Sequence, residues 1–481
     1  MSGTRQRTAI HSLRGFLEVL ERNAQLLHLT DEVQLEPDIG AAGRAISQLG
    51  ETTPALSFEN IKGYEQARIV TNIHGSWRNH ALLMGMPKDS DARAQFSEFV
   101  RRYQTFPGKV ERRDDPPWQE NVVEKDVNLF DLIPLFRLNR GDGGFYIDKG
   151  CTVSRDPDDF ENDNLQNLGM YRLEVKGRNR IGIQPVPEHD IAVHLAHAEE
   201  RGEDLPVTIA LGASPLMEIA ASMPILYTQS EYEMVGALQG EPCRVVRMEN
   251  GHDVPWGAEY VLQGRILSRF REAEGPFGEF TGHYSGGRSM PVIEIDRVYH
   301  RDAPIFEHLY LGQPWTEIDY MMAINTGAPL YVQVKETFPE VVAVNAMYTH
   351  GLVVIISTKC RVGGFARTVG MRVMTTPHGL GYAKIVIVVD ETVNPFDLKQ
   401  VMWALSTKVN PAGDLVVLPH LSVLPLDPGS MPEGMTHKLI IDATTPVPPD
   451  ARGNYGQPLD SPAGTEMWRE KLSSLLSEEQ T

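Results

Sequence analysis

The chain has 481 residues, 41% hydrophobic and 23% charged, an ordinary composition for a soluble globular protein of two or three domains. A formal net charge of −19 argues against nucleic acid or an anionic membrane surface as partner. Cys151, Cys243 and Cys360 are far apart, which suggests no disulfide framework or CxxC metal site and fits a reducing cytoplasm, while no apolar segment follows Arg5, Arg7 and Arg14 to make a signal peptide and no run of about 18 apolar residues could span a bilayer.

Taken in order, Ser12 is a candidate cap for a helix whose apolar stripe is Leu13, Phe16, Leu17 and Leu20. Leu26 to Leu29 and Ala67 to Ile73 read as strands, and Asp89 to Tyr103 as an amphipathic helix. A turn-rich stretch from Pro107 to Pro117 marks a boundary. Beyond Asn128 short strands dominate: Phe145–Ser154, Met170–Val175, Arg180–Gln184, Val207–Gly212, Cys243–Met248, Glu259–Leu267, Val292–Tyr299 and Ile305–Leu309, with a helix from Asp190 to Arg201. Lys176 to Asn179 is a hairpin signal, and this spacing of strands suggests a barrel-like core. After Trp315 a helix is expected from Ile318 to Thr337, interrupted between Asn325 and Pro329. Strands and helices then alternate as far as Asp442, which predicts an α/β layer. A Pro-rich stretch to Pro462 precedes a last helix, Glu466 to Leu476, carrying Trp468, Leu472 and Leu475.

The most informative stretch runs from Glu272 to Gly287. Glu274 and Glu279 bracket Gly275-Pro276-Phe277-Gly278, where proline fixes one backbone angle and the glycines open others, so the segment is a shaped loop. Such a loop can aim two carboxylates into one pocket, where their pKa values diverge and one keeps a proton. Read alone, it is more often a tight turn with solvated acids. Likewise Gln166 to Arg172 reads as a hairpin bearing an arginine, and Lys438 as a lysine beside an edge strand.

Together these stretches resemble the UbiD family of decarboxylases, over nearly the whole chain. The branch most resembled is the large subunit of the non-oxidative 4-hydroxybenzoate, vanillate and phenolic acid decarboxylases, through Trp256 to Glu259, Glu274 to Gly287 and His420 to Gly429. The resemblance implies prenylated FMN as cofactor, with Mn²⁺ (Mg²⁺ as the alternative, K⁺ as a further ion) bridging to its phosphate. It implies metal ligands Asn167, His189 and Glu231, an oxygen- and nitrogen-rich set suited to a hard divalent ion. Cofactor contacts would come from Thr152, Met170, Tyr171, Arg172, Gln184, Pro185, Val186, Pro187, Glu188, His189, Ser222, Met223, Pro224 and Lys438, with Ser154 nearby. Arg172, Glu274 and Glu279 would be catalytic, with Glu279 as proton donor, and His308 and Gly312 to Glu317 would form a substrate-facing element.

The implied architecture is mixed α/β. Residues 1–115 form an N-terminal α+β region, 116–312 a split β-barrel holding the flavin, 313–337 a connecting helix, 338–455 a C-terminal α/β oligomerisation domain, and 456–481 an extended tail with a terminal helix. The implied reaction is reversible, non-oxidative decarboxylation of a hydroxylated benzoic acid to a phenol and CO₂. Implied partners are a flavin prenyltransferase, a small companion subunit, and further copies of the chain in a dimer or hexamer. A catalytically silent scaffold subunit is the alternative. A glycoside hydrolase would also use paired carboxylates, but no cluster of tryptophans offers it a sugar platform.

Overall fold

In the computed structural model the Ser12 hydroxyl accepts from Gly15 N and starts helix Leu13–Arg22, whose Leu13, Phe16, Leu17 and Leu20 are the buried stripe the periodicity predicts. The structure describes residues 10–187, 189–450 and 459–478, so Arg5, Arg7, Glu188 and residues 451–458 of the Pro-rich stretch lie outside the described residues. Helix Ala92–Tyr103 is capped by Asp91, and its Phe96, Phe99 and Val100 are buried. The first sheet runs Leu26–Leu29, Ala55–Phe58, Arg68–Thr71, Ile305–Glu307. Its last strand comes from much later in the chain, and one hydrophobic core runs without a break from the N-terminal helices into the central strands.

The central element is a nine-stranded antiparallel sheet, curled as a half-barrel. Its order is Phe145–Ile147, Leu173–Val175, Arg180–Ile183, Arg288–His300, Tyr260–Glu274, Leu205–Leu211, Gly150–Arg155, Gln166–Met170, with Asn121–Val123 pairing onto Arg288–His300. Two long strands, Tyr260–Glu274 and Arg288–His300, form its spine and are joined by the glycine-rich loop. The expected strand Met170–Val175 is instead two: Gln166–Met170 pairs with Gly150–Arg155, and Leu173–Val175 pairs with Arg180–Ile183. The break at Tyr171 and Arg172 lets consecutive residues serve different groups.

The interruption expected near Pro329 is absent: Glu317–Lys335 is one helix with Pro329 inside. All its residues from Glu317 to Leu330 are buried, so packing on every side keeps it continuous where an exposed helix would break at proline. The C-terminal sheet has the order Val341–Tyr348, Val353–Thr358, Ile385–Asp390, Met435–Ala443, Leu415–Ser422, with its central pairs parallel. Val354, Ile356, Val386, Val388 and Ile440 face a core with helix Phe365–Met374, whereas Ile355, Ile387, Val389 and Ala443 face Val401 and Ala404 of helix Leu398–Lys408. Strands buried on both faces read as continuous β-branched runs, and these do. Among the described residues no helix is long and apolar enough to cross a membrane. The three cysteines are unpaired, with Cys151 and Cys243 buried.

Candidate functional site

Glu274 is the last residue of its strand, and the loop that follows turns on Gly275, whose φ of 87° a side chain would strain. The Gly141–Gly144 turn clamps the loop: Gly143 N donates to Pro276 O (2.7 Å) and Gly278 N donates to Asp142 Oδ1 (2.8 Å). Within it, Glu279 N donates to His283 O and Ser285 N to Phe277 O, both at 2.9 Å. Thus Glu274 is fixed by the sheet and Glu279 by the loop.

Arg172 joins them. Its Nε donates to Glu274 Oε1 (3.0 Å) and its Nη2 to Glu274 Oε2 (2.6 Å), a two-pronged fork. Its Nη1 reaches Glu279 Oε1 and Ser285 Oγ. The guanidinium lies 5.3 Å from the Phe277 ring centroid, and Phe277 packs on Tyr146, whose hydroxyl donates to Glu274 Oε1 (3.2 Å). Phe277 is therefore both a core aromatic and the platform under the arginine, and Tyr146 is a contributor no motif pointed to. Both carboxylates are buried. Burial pushes the Glu279 carboxyl up to about 7 against the lowering pull of Arg172. A carboxyl so poised can hold a proton near neutral pH and release it.

Asn167, His189 and Glu231 gather around Tyr171. Asn167 Nδ2 lies 3.1 Å from Tyr171 Oη, the Tyr171 and His189 rings are 5.3 Å apart, and Leu168 N donates to Glu231 Oε2 (3.2 Å). Gly169 makes this fold possible: a Cβ there would lie 2.2 Å from the Tyr171 hydroxyl. Glu231 opens helix Glu231–Gln239, a helix the sequence reading missed for want of a clear apolar stripe, and His189 precedes helix Asp190–Arg201. Burial pushes Glu231 up to about 8 and His189 down to about 4, since neither has a compensating charge beside it. A buried carboxyl, an amide oxygen and a neutral imidazole are donors of the kind a divalent cation takes.

The expected cofactor contacts flank this set. Thr152 pairs with Gly169 across the strands, and Met170 pairs with Cys151. The buried Thr152 Oγ1 and Gln184 Nε2 have no hydrogen-bond partner, the condition expected of atoms that meet a polar ligand. Pro185 and Val186 are half-buried and Pro187 is exposed. Ser222 and Met223 close the end of helix Pro215–Ala221, followed by Pro224. Lys438 makes no direct bond to any of these. Its Nζ donates to Gly379 O (2.9 Å) and Leu380 O (2.8 Å), and burial lowers it to about 8.

A histidine without a motif also reaches the site. His350, at the tip between strands Val341–Tyr348 and Val353–Thr358, lies 5.1 Å from the Phe280 ring and stacks on Tyr382. His308 is buried against Asp148, with Nδ1 to Oδ2 at 2.9 Å. In the Gly312–Glu317 segment, Trp315 packs on Tyr348 and Glu317 turns inward to accept from Asn72 N and His74 N. Glu317 there joins Lys149, Glu218 and Glu307 in a second buried charge cluster.

Three family models match in sequence: the UbiD N-terminal domain over residues 17–99, the 3-octaprenyl-4-hydroxybenzoate carboxy-lyase Rift-related domain over 109–314, and the UbiD C-terminal domain over 319–443. A phenolic acid decarboxylase of Bacillus subtilis (strain 168) is 62% identical over 471 residues, 98% of this chain and 100% of that protein. The closed form of Sedimentibacter hydroxybenzoicus vanillic acid decarboxylase superposes with a TM-score of 0.90 at 54% identity, covering 98% of this chain and 100% of that one. An evolved dimeric form of the UbiD-class enzyme HmfF from Pelotomaculum thermopropionicum, solved with prFMN, superposes with a TM-score of 0.80 at 27% identity, covering 95% and 98%.

Proposed function

Because this chain belongs to the UbiD family of carboxy-lyases, we propose that it decarboxylates a hydroxylated benzoic acid (4-hydroxybenzoate, vanillate or a similar acid), reversibly and non-oxidatively, to the phenol and CO₂. The observation that carries the reading is one guanidinium, Arg172, forked onto two buried carboxylates, Glu274 and Glu279, of one shaped loop. Relatives named phenolic acid and vanillic acid decarboxylase support the substrate class.

Prenylated FMN is the proposed cofactor, supported by the prFMN-bound relative; when bound it supplies an electrophilic centre that takes up the electron density left as CO₂ departs. Thr152, Met170, Tyr171, Gln184 and the turn that follows would line it, with Ser222 to Pro224 and Lys438 at its edges. Asn167, His189 and Glu231 would hold Mn²⁺ or Mg²⁺. Arg172, forked onto Glu274, orients the substrate carboxylate. Glu279, protonated below about pH 7, lets go of Arg172 and gives its proton to the ring carbon that has lost CO₂. Run backwards, the same carboxylate removes the ring proton.

The five-part division of the chain given above is retained as part of the proposal. The terminal helix Thr465–Glu478, with Trp468, Leu472 and Leu475 about half exposed, then docks on another copy. A companion subunit is proposed because the S. hydroxybenzoicus relative, ShVdcCD, has also been solved with a truncated ShVdcD. The cofactor supplier would be a flavin prenyltransferase, and the compartment the cytoplasm.

The test is expression with and without a flavin prenyltransferase, followed by an absorbance spectrum and an assay of released phenol across a panel of hydroxybenzoates. A bound modified flavin with phenol release is expected. No flavin and no phenol under either condition would favour the scaffold reading.

A further inference from the structure

A cleft of about 660 Å³ opens between helix Gly40–Gln48 and the segment 137–140, with Tyr310 at its floor. Arg44, Arg137 and Arg140 line it, against a single acid, Glu36. Glu36 is already engaged by Arg137, accepting from its backbone N (2.8 Å) and its Nε (3.3 Å). Arg44 points both ends of its fork at Gln313, reaching the backbone carbonyl and Oε1 (2.8 Å), neither of which carries charge. Among the described residues, neither Arg44 nor Arg140 has an acidic partner. Two uncompensated cations thus share one concave site in a chain of net charge −19.

The cleft also borders the loop that carries Glu279. A Cβ on Gly278 would lie 2.3 Å from Asn139 Nδ2, and one on Gly282 would lie 3.2 Å from Gln313 Cα. Asn139 and Gln313, gripped by Arg44, therefore brace the loop on two sides. The volume falls within the range of small-molecule sites, roughly 300–1,000 Å³, and is far more than a bare inorganic anion needs. The apolar lining, Leu138, Pro37 and the face of Tyr310, suits a ring beside the charge.

We infer that this cleft is a second ligand site, for an aromatic carboxylate: Arg140 and Arg44 hold the carboxylate, Tyr310 and Leu138 pack the ring, and the acid waits beside the proton-donor loop. The choice of acid rests on the reading under Proposed function. The cleft offsets locally the repulsion that an acidic protein exerts on an anionic ligand.

The test is photolabelling of the full chain, without flavin, by 4-azidobenzoate, with the labelled peptides identified by mass spectrometry. Label is expected on peptides containing residues 36–44, 137–140 or Tyr310. It should be competed by 4-hydroxybenzoate and not by 4-hydroxybenzamide or bicarbonate. Arg140→Glu, at an exposed position, should cut labelling about 10-fold, and Arg140→Lys should restore most of it. Competition by bicarbonate as strong as by 4-hydroxybenzoate would overturn the aromatic assignment. Label confined to peptides carrying Arg172 and residues 274–287, or unchanged by Arg140→Glu, would overturn the site. The two readings fail separately: a chain that releases no phenol but labels in the cleft contradicts only the proposed reaction, and an active one that does not label there contradicts only this site.

Discussion

Two buried clusters in this molecule set carboxylates around one cation, and they are built for opposite ends. In the first, Lys149 lies within bonding reach of Glu218 (3.2 Å), Glu317 (3.1 Å) and Glu307, all with 0–1% of their side-chain surface exposed. Burial alone would lower the lysine, but the three glutamates hold it well above its ordinary range, while burial pushes Glu307 far up. Its members come from one strand, two helices and the bend before strand Gly150–Arg155, and Glu317 also accepts two backbone N–H groups, so nothing in it can turn over without disturbing several elements. In the second, Arg172 meets two acids close in sequence, one at a strand end and one on a glycine-rich loop. Its rim is less tightly closed, with 7% of Arg172 and 6% of Glu279 exposed. The chemistry is similar, and what separates a tie from a proton donor is the placing of the acids, on a strand and two helices in the first and at a strand end and on a loop in the second. The His74, Glu218 and Glu307 side chains converge closely enough to hold a metal ion, but the Lys149 ammonium already sits among these glutamates.

The largest expected effect breaks the tie. Lys149→Met leaves three buried acids without their cation and should cost about 3–5 kcal/mol of stability, read as a lowered denaturant midpoint. Glu279→Gln should do the reverse: the midpoint stays near wild type, flavin and metal still bind, and turnover falls about 10²-fold or more, because the amide keeps the shape but carries no transferable acid proton. If the first variant were stable or the second unfolded, the contrast between the clusters would collapse. Next comes Glu231→Ala, which should weaken retained metal about 10–100-fold while the fold survives, measured by metal analysis after dialysis. A subtler effect is the pH profile. Glu279 is raised to about 7, so its donating form predominates below that pH, and kcat for decarboxylation should decline as pH rises through it. That limb should vanish in Glu279→Gln. The smallest is a change of assembly without a change of chemistry: truncation before Glu466 should lower the mass measured by light scattering.

What the sequence made legible follows the same division. Local helices were legible: Leu13–Arg22 starts at the expected Ser12 cap and buries the expected stripe, and Asp190–Arg201 matches its expected bounds. The acids of the loop were legible because they lie five residues apart in one resembled motif. The lysine cluster was not, since positions 149, 218, 307 and 317 share no local pattern and meet only when the first and central sheets and two helices pack together. His350 escaped for the same reason, as its approach to Phe280 depends on how the C-terminal sheet leans on the central one. The continuity of Glu317–Lys335 through Pro329 escaped because burial on all sides, invisible to a search for one apolar face, overrides the proline.

The central claim is that Glu279 moves the proton. It is tested most directly by incubating flavin-loaded enzyme with the product phenol in D₂O and following deuterium entry into the ring by NMR. The account predicts exchange by the wild type and a fall in Glu279→Gln as large as its loss of turnover. Exchange at the wild-type rate in Glu279→Gln would contradict it and send the search for the proton donor to His308 and His283.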